Sequence, residues 1–380
     1  MPGADSTPDP AVVETARSFV PRVLEAADQI EAERRLPAGL VNAFRDAGLF
    51  RLFLPREFGG SAASPFTVIA VAEVLGHADA STAWCVNVAN QAAWLASRLS
   101  VEAADGLVGP DSILLSSGVP AGKAEPVEGG YRFSGTWGFA SGAPHANVFT
   151  AVTPAPGGGP ATPPIMAFLP ASDCRVLDTW QMTGMRGTGS HDFVLDDVFV
   201  PAARVVVPGA PQVHPGALYK VPYMRFVGRG GIALGVARKA IDAVTDLIAT
   251  KTQAPVGTRL ATQERFQIGL AEAEAVWGSA RAWLREVMTV VWEPLVAGEV
   301  PPYEDRARLA LATAHAAQTG LRVVQDVYRL GGTTSAKTTW VLDRCIRDLL
   351  TASADVSIGP GIHAAAGRAM LKEGPPFPLL

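Results

Sequence analysis

A hydroxyl set among aromatic rings is the first chemistry this chain offers. The stretch Gly130-Tyr131-Arg132-Phe133-Ser134-Gly135-Thr136-Trp137-Gly138-Phe139-Ala140-Ser141-Gly142-Ala143 reads as two short strands joined at Ser134-Gly135. Tyr131, Phe133, Trp137, Phe139 and Ser141 alternate onto one face, with small residues on the other. Rings beside a hydroxyl and tight glycines suit a planar cofactor, with Ser141 near a polar ring edge. The same alternation also describes an ordinary core strand. Further along, Gly184-Met185-Arg186-Gly187-Thr188-Gly189-Ser190 forms a glycine-rich turn carrying one guanidinium and two hydroxyls. His145 follows the aromatic strand closely, either as a turn residue or as a group near substrate. His77, His191, His214 and His315 lack the spaced partners of a metal site.

The elements that must position these residues come in three blocks. Residues 1–111 read as an N-terminal helical domain, with Val12, Ala16, Val20, Val23, Leu24 and Ala27 at helical spacing. Residues 112–208 change to short alternating runs broken by Gly and Pro, the pattern of a β-domain. Pro154 to Pro164 is a hairpin loop unable to form regular structure, and 209–224 is a Pro-rich connector. From 225 to 380 the helical period returns as a helix bundle with a tail, and Gly230, Gly231 and Gly235 offer a close-packing helix face.

A chain of 380 residues with 48% hydrophobic and 18% charged residues can bury a sizeable core. A net charge of −4 without a dense Lys/Arg block argues against nucleic acid or an anionic membrane as partner. No run of apolar residues is long enough to span a bilayer, and Met1 to Pro10 lacks the features of a signal peptide. Cys85, Cys174 and Cys345 are far apart and read as buried thiols in a reducing cytoplasm.

Taken in order, the Leu49–Gly60 block, the Trp137-x-Phe139-x-Ser141-Gly142 strand, the Met185–Ser190 turn and the Val194–Pro201 run resemble the acyl-CoA dehydrogenase superfamily. Within it they look most like the reduced-flavin-dependent monooxygenases of two-component systems. The resemblance implies a mainly α fold with a central β-barrel-like domain and a C-terminal four-helix bundle. It also implies a homotetramer with flavin sites shared between subunits, fed reduced FMN or FAD by a separate reductase and using molecular oxygen. On this basis Phe139 and Trp137 lie at the flavin, and Ser141 donates a hydrogen bond near its reactive nitrogen. Ser117 is expected to bind the cofactor from the segment preceding the β-domain, where Ser116-Ser117-Gly118 replaces the family's Thr-Glu-Pro motif. Arg186 and Ser190 read as a flavin-phosphate or substrate contact, or as an anchored turn. Arg329-Leu330-Gly331-Gly332 stands where the family has Gln-x-x-Gly-Gly, and an arginine there can grip a terminal phosphate.

Two departures bear on mechanism. The window Lys251-Thr252-Gln253-Ala254-Pro255 lacks the family's pyrophosphate-gripping Arg-x-x-Phe-Gly, which favours borrowed flavin over permanently bound FAD. The glutamate base of the classical dehydrogenases is missing as well. After Arg347-Asp348, Asp355 occupies the position where monooxygenase relatives place a histidine. Ser141, His145 and Asp355 are therefore the expected catalytic residues of a hydroxylase acting on a small aromatic or amine. The alternatives are a desaturase or oxidase with bound FAD and Asp355 as base, and a degenerate paralogue that binds without turnover.

Overall fold

The computed structural model describes residues 6–159, 162–210, 213–253 and 257–373. The first five residues of the N-terminal tail, 160–161 of the Pro/Gly loop, 211–212 of the connector and Ala254-Pro255 lie outside them. The N-terminal apolar stripe folds as two consecutive helices, α1 (Pro10–Ser18) and α2 (Val20–Glu33), which bury Ala16, Val23, Ala27 and Ile30. The Asp9 carboxylate starts α1 by accepting from the Ala11 and Val12 amides. Next come α3 (Ala38–Asp46), α4 (Pro65–Ala78), α5 (Ala80–Leu95) and the short α6 (Val101–Ala104). α5 is buried on nearly every side, yet its apolar run holds Asn87, Asn90 and Gln91. An enclosed helix carries such groups only when each finds a partner.

Eight strands follow: β1 (Leu114–Ser116), β2 (Lys123–Val127), β3 (Gly130–Ala140), β4 (Val148–Thr153), β5 (Ile165–Pro170), β6 (Arg175–Leu177), β7 (His191–Pro201) and β8 (Val205–Val206). They form two sheets, ordered β1-β4-β5-β8 and β2-β3-β7-β6. All pairings are antiparallel except β1 with β4. Phe133, Trp137, Phe149, Leu169 and Phe193 fill the space between the sheets. One expectation fails here. Residues 130–140 form a single strand, because Ser134-Gly135 is taken up as a register shift against β7 instead of a turn. Gly135, at φ 148°, supplies the backbone freedom for that shift.

Long helices resume with α7 (Gly228–Thr250). A small hairpin, β9 (Thr252–Gln253) and β10 (Thr258–Arg259), leads into α8 (Glu264–Val296), α9 (Tyr303–Gly331), α10 (Val341–Ala352) and α11 (Pro360–Leu371). Gly231 and Gly235 let α7 lie directly on α4, since a Cβ at either would collide with the Ile69 or Glu73 carbonyl. This contact joins the N-terminal helices and the bundle into one continuous apolar core. Cys85 and Cys345 are buried in it as free thiols, and Cys174 is half-buried under the sheets. Among the described residues no helix is long and apolar enough to cross a membrane.

Candidate functional site

β3 ends in an irregularity that re-aims its side chains. A second register shift falls between Trp137 and Ala140, and Phe139 within it has φ 58°. A left-handed backbone is rare for an aromatic residue and marks local strain. The shift breaks the two-residue alternation, so Trp137 and Phe139 do not share a face. Trp137 is fully buried, stacked on Phe193 at 5.4 Å, with its indole N–H given to the Val152 carbonyl. It belongs to the core between the sheets and has no face left for a cofactor, which corrects its assignment to the flavin. Phe139 is 60% exposed and meets Trp180 edge-on at 6.4 Å. The Ser117 hydroxyl braces the irregularity by donating to the Gly138 carbonyl at 2.7 Å.

Ser141 lies just beyond, in a line of hydroxyls whose polarity can be worked out. The Thr188 hydroxyl donates to the Met185 carbonyl at 2.8 Å, so its oxygen must accept from Ser190 at 2.6 Å. Ser190 has then spent its proton and accepts from Ser141 at 2.7 Å. Trp84 of α5 donates its indole N–H to the Ser141 Oγ at 3.1 Å. The protons therefore run from Trp84 through Ser141, Ser190 and Thr188 to a backbone carbonyl. Ser141 keeps one unused lone pair and no spare proton. With this polarity Ser141 would meet a further group as a hydrogen-bond acceptor, whereas the resemblance implies a donor.

Trp84 connects this line to the bundle. The Arg229 guanidinium of α7 lies over the Trp84 ring at 3.9 Å from its centroid. Arg229 donates from Nη1 to Asn87 Oδ1 at 2.6 Å, from Nη2 to Gln91 Oε1 at 2.8 Å and from Nε to Asp355 Oδ2 at 3.1 Å. Asn87 and Gln91 are thus the cradle of a buried arginine, while Asn90 holds the Leu49 carbonyl and the Leu52 and Phe53 amides. Burial pushes the Arg229 pKa down and the Asp355 charge opposes that shift. The other Asp355 oxygen accepts the Ser357 amide at 2.8 Å, and the Ser357 carbonyl accepts the Tyr223 hydroxyl at 2.7 Å.

The Gly184–Ser190 turn is held from behind by α10. Asp348 accepts the amide of Met185, itself left-handed at φ 52°, at 2.6 Å. Arg347 donates to the Thr183 carbonyl and Glu31. Arg186 gives its donors to the Glu31 and Met182 carbonyls, at 3.3 and 3.2 Å, which is the anchored-turn reading of this residue. The turn in turn presents Thr188 and Ser190 to Ser141.

Two sets of expected residues lie apart from this cluster. His145 is half-buried with its ring against Phe50, its enclosed Nδ1 has no hydrogen-bond partner, and desolvation pushes its pKa down to about 4. It lines a cavity of about 440 Å³ with Leu36, Val41, Ile113 and Pro144, and none of Ser141, Trp84, Arg229 or Asp355 borders that cavity. Arg329, 77% exposed and paired with Asp326 at 3.1 Å, stands at the C-terminal end of α9 with Gly331 and Gly332. Sequence reasoning missed Trp84, Asn87, Gln91, Thr188 and Arg229 as site residues. The available signal was polarity out of place, in the form of one arginine within Gly-Arg-Gly-Gly-Ile-Ala-Leu-Gly and two amides in the apolar α5.

Residues 9–103 match the acyl-CoA dehydrogenase N-terminal domain and 227–358 the acyl-CoA dehydrogenase C-terminal domain. The oxygenase component of a FADH(2)-dependent resorcinol hydroxylase from a Rhizobium species is 34% identical, over 74% of this chain and 75% of that protein. Indole-3-acetate monooxygenase of Pseudomonas putida is 29% identical, over 89% of this chain and 88% of that protein. Among solved structures, XiaF from Streptomyces sp., in complex with FADH2 and glycerol, superposes with a TM-score of 0.89 at 27% identity over 97% of each chain. The chain belongs to the acyl-CoA dehydrogenase family, in its branch of flavin-dependent monooxygenases.

Proposed function

We propose that this chain is the oxygenase component of a two-component system. It takes reduced FMN or FADH2 from a separate reductase and uses molecular oxygen to hydroxylate a small aromatic or amine substrate. The names of the relatives above support the aromatic class. When bound, reduced flavin supplies the electrons that activate oxygen and delivers one oxygen atom to the substrate. The residues present fit such a group. Phe139 offers an exposed ring, and the buried Ser141 a lone pair that no described residue fills, two residues apart at the strained end of β3.

The observation that carries this reading is the directed hydroxyl line ending on Ser141. Trp84 and Ser190 fix its Oγ as an acceptor, which suits the ring-edge N–H that distinguishes a reduced isoalloxazine from an oxidised one. The Ser190 and Thr188 side chains behind it are buried, so bulk water does not compete for that lone pair. The desaturase reading needs Asp355 free to take a proton from substrate. Both its oxygens are already engaged, by the Ser357 amide and by Arg229.

The test supplies purified protein with a flavin reductase, NADH, FMN or FAD, isotopically heavy oxygen gas and a panel of phenols, indoles and aryl amines. One heavy oxygen atom per product molecule is the expected result. No labelled product, together with bound FAD bleached by an acyl thioester, would replace the hydroxylase with the desaturase. In the same assay Ser141→Ala should yield about ten- to a hundredfold less product per reduced flavin, with hydrogen peroxide in its place. Unchanged coupling would remove Ser141 from the reacting atoms.

A further inference from the structure

One backbone carbonyl closes the hydroxyl line, and it belongs to a strained residue. The Met185 oxygen accepts the Thr188 hydroxyl at 2.8 Å and the Trp180 indole N–H at 2.9 Å. It therefore ends the line that starts at Trp84 and anchors the tryptophan that meets the Phe139 ring. Met185 itself is buried and left-handed at φ 52°, a conformation disfavoured for a residue with a Cβ. Such backbone persists only where its surroundings hold it.

Asp348 does the holding. From α10 its Oδ1 accepts the Met185 amide at 2.6 Å. Gly184, one residue earlier, lies so close on the Arg347 carbonyl that a Cβ would collide with it. Among the described residues, the Met185 amide is the one hydrogen-bond partner of the Asp348 side chain. A buried carboxyl with a single partner is costly to keep, and this one is spent on a peptide whose carbonyl orients Thr188.

We propose that Asp348 is a positioning residue that, through Met185, sets the direction of the hydroxyl line and so makes the site prefer reduced over oxidised flavin. This rests on the reading of Ser141 as the residue at the flavin ring edge. With the Met185 carbonyl in place, Thr188 donates to it, Ser190 to Thr188 and Ser141 to Ser190, which leaves Ser141 a lone pair. If the Met185 peptide turns away, Thr188 loses its acceptor and donates to Ser190 instead. Ser190 then donates to Ser141, whose oxygen already accepts from Trp84, and the Ser141 proton is left for the ligand. An acceptor suits the ring N–H of a reduced isoalloxazine. A donor suits the bare nitrogen of the oxidised ring.

Dissociation constants for oxidised FMN, and without oxygen for reduced FMN, check this in wild type and four variants. Wild type should bind reduced FMN about tenfold or more tighter than oxidised FMN. Asp348→Leu, close in volume and without an acceptor, should lower that ratio by about tenfold. Asp348→Asn keeps an oxygen for the Met185 amide and should hold the ratio within about threefold of wild type. In Asp348→Leu/Ser141→Ala the ratio should equal that of Ser141→Ala alone, because Asp348 acts through that hydroxyl. A merely structural role would weaken both forms of FMN alike and leave the ratio unmoved. That result, a wild type without preference, or a double variant well below Ser141→Ala overturns the proposal. If Asp348→Leu does not fold, Thr188→Val, nearly isosteric and lacking the hydroxyl, carries the same expectation, and an unchanged ratio there overturns it equally. Binding of neither form by wild type would overturn the functional reading and this inference together. Labelled hydroxylated product beside an unmoved ratio would keep that reading and remove Asp348 from it.

Discussion

At the scale of single residues, the end of β3 shows strain and exposure concentrated on one side chain. Phe139 has a left-handed backbone that costs an L-residue about 1–2 kcal/mol, and its ring is 60% exposed. Neither feature helps the chain fold, so Phe139 can be separated experimentally from Trp137 two residues earlier. Phe139→Gly relieves the backbone while deleting the ring. It should leave unfolding stability within about 1 kcal/mol of wild type, since the gain in φ freedom offsets the entropy of a glycine. Trp137→Ala, which empties the core between the sheets, should cost about 3–5 kcal/mol. Reduced FMN affinity, measured by anaerobic titration, should fall about tenfold in Phe139→Gly through loss of ring contact. A stable Phe139→Gly protein with unaltered affinity would show that the ring faces solvent for another reason.

At the scale of elements, the Gly184–Ser190 turn depends on α10, and that dependence is sensitive to pH. Asp348 is buried under the turn close to the buried Asp79, which caps α5 through the Thr82 amide at 2.7 Å. Burial chiefly, and the Asp79 charge next, push the Asp348 pKa up to about 7. The folded chain therefore keeps a proton on Asp348 that the unfolded chain releases in the ordinary carboxylate range. Between those two values the folded state binds more protons. The Asp348 contribution to stability is thus complete at low pH, falls as pH rises towards 7 and is flat above. Asp348→Asn retains an oxygen for the Met185 amide and has nothing to titrate. The stability lost by wild type between pH 5 and pH 8 should shrink in the variant, by on the order of 2 kcal/mol. Identical losses in the two proteins, followed by thermal melts, would contradict the assignment. Much of this arrangement could be read from sequence, and the reason is local. Phe139, Ser141, Thr188 and Ser190 sit in short motifs whose residue order is itself the signal. The turn's support, Arg347-Asp348, was visible as a motif too, without its purpose. Arg229 and its cradle were not legible, since Asn87 and Arg229 meet across 142 residues of chain. The register shifts in β3 escaped because strict alternation assumes an unbroken ladder.

At the scale of the whole molecule, the proposed Arg329 contact lies far along α9 from the Asp355 end of the cluster. Tyr223, whose hydroxyl reaches the Ser357 carbonyl beside Asp355, also approaches the Ala310 carbonyl of α9 at 3.4 Å. Arg329 lies nineteen residues further along the same helix (329 − 310), about 28 Å away at 1.5 Å per residue. We therefore propose that a phosphate gripped by Arg329, beside Gly331 and Gly332, belongs to a flavin whose ring rests on another copy. This is the sense in which a homotetramer with shared sites is proposed: Phe139 and Ser141 come from one subunit and Arg329 from its neighbour. Complementation gives the test. Ser141→Ala and Arg329→Ala homo-oligomers should each couple poorly. In co-expressed mixtures, a site with both residues intact needs an Arg329→Ala chain beside a Ser141→Ala chain. Random assembly of a closed oligomer produces that pairing in about a quarter of sites. Product formation should therefore rise to about a quarter of wild type on mixing. Activity no higher than the mean of the two parents, or a monomer by light scattering, would confine each site to one chain and leave Arg329 outside it.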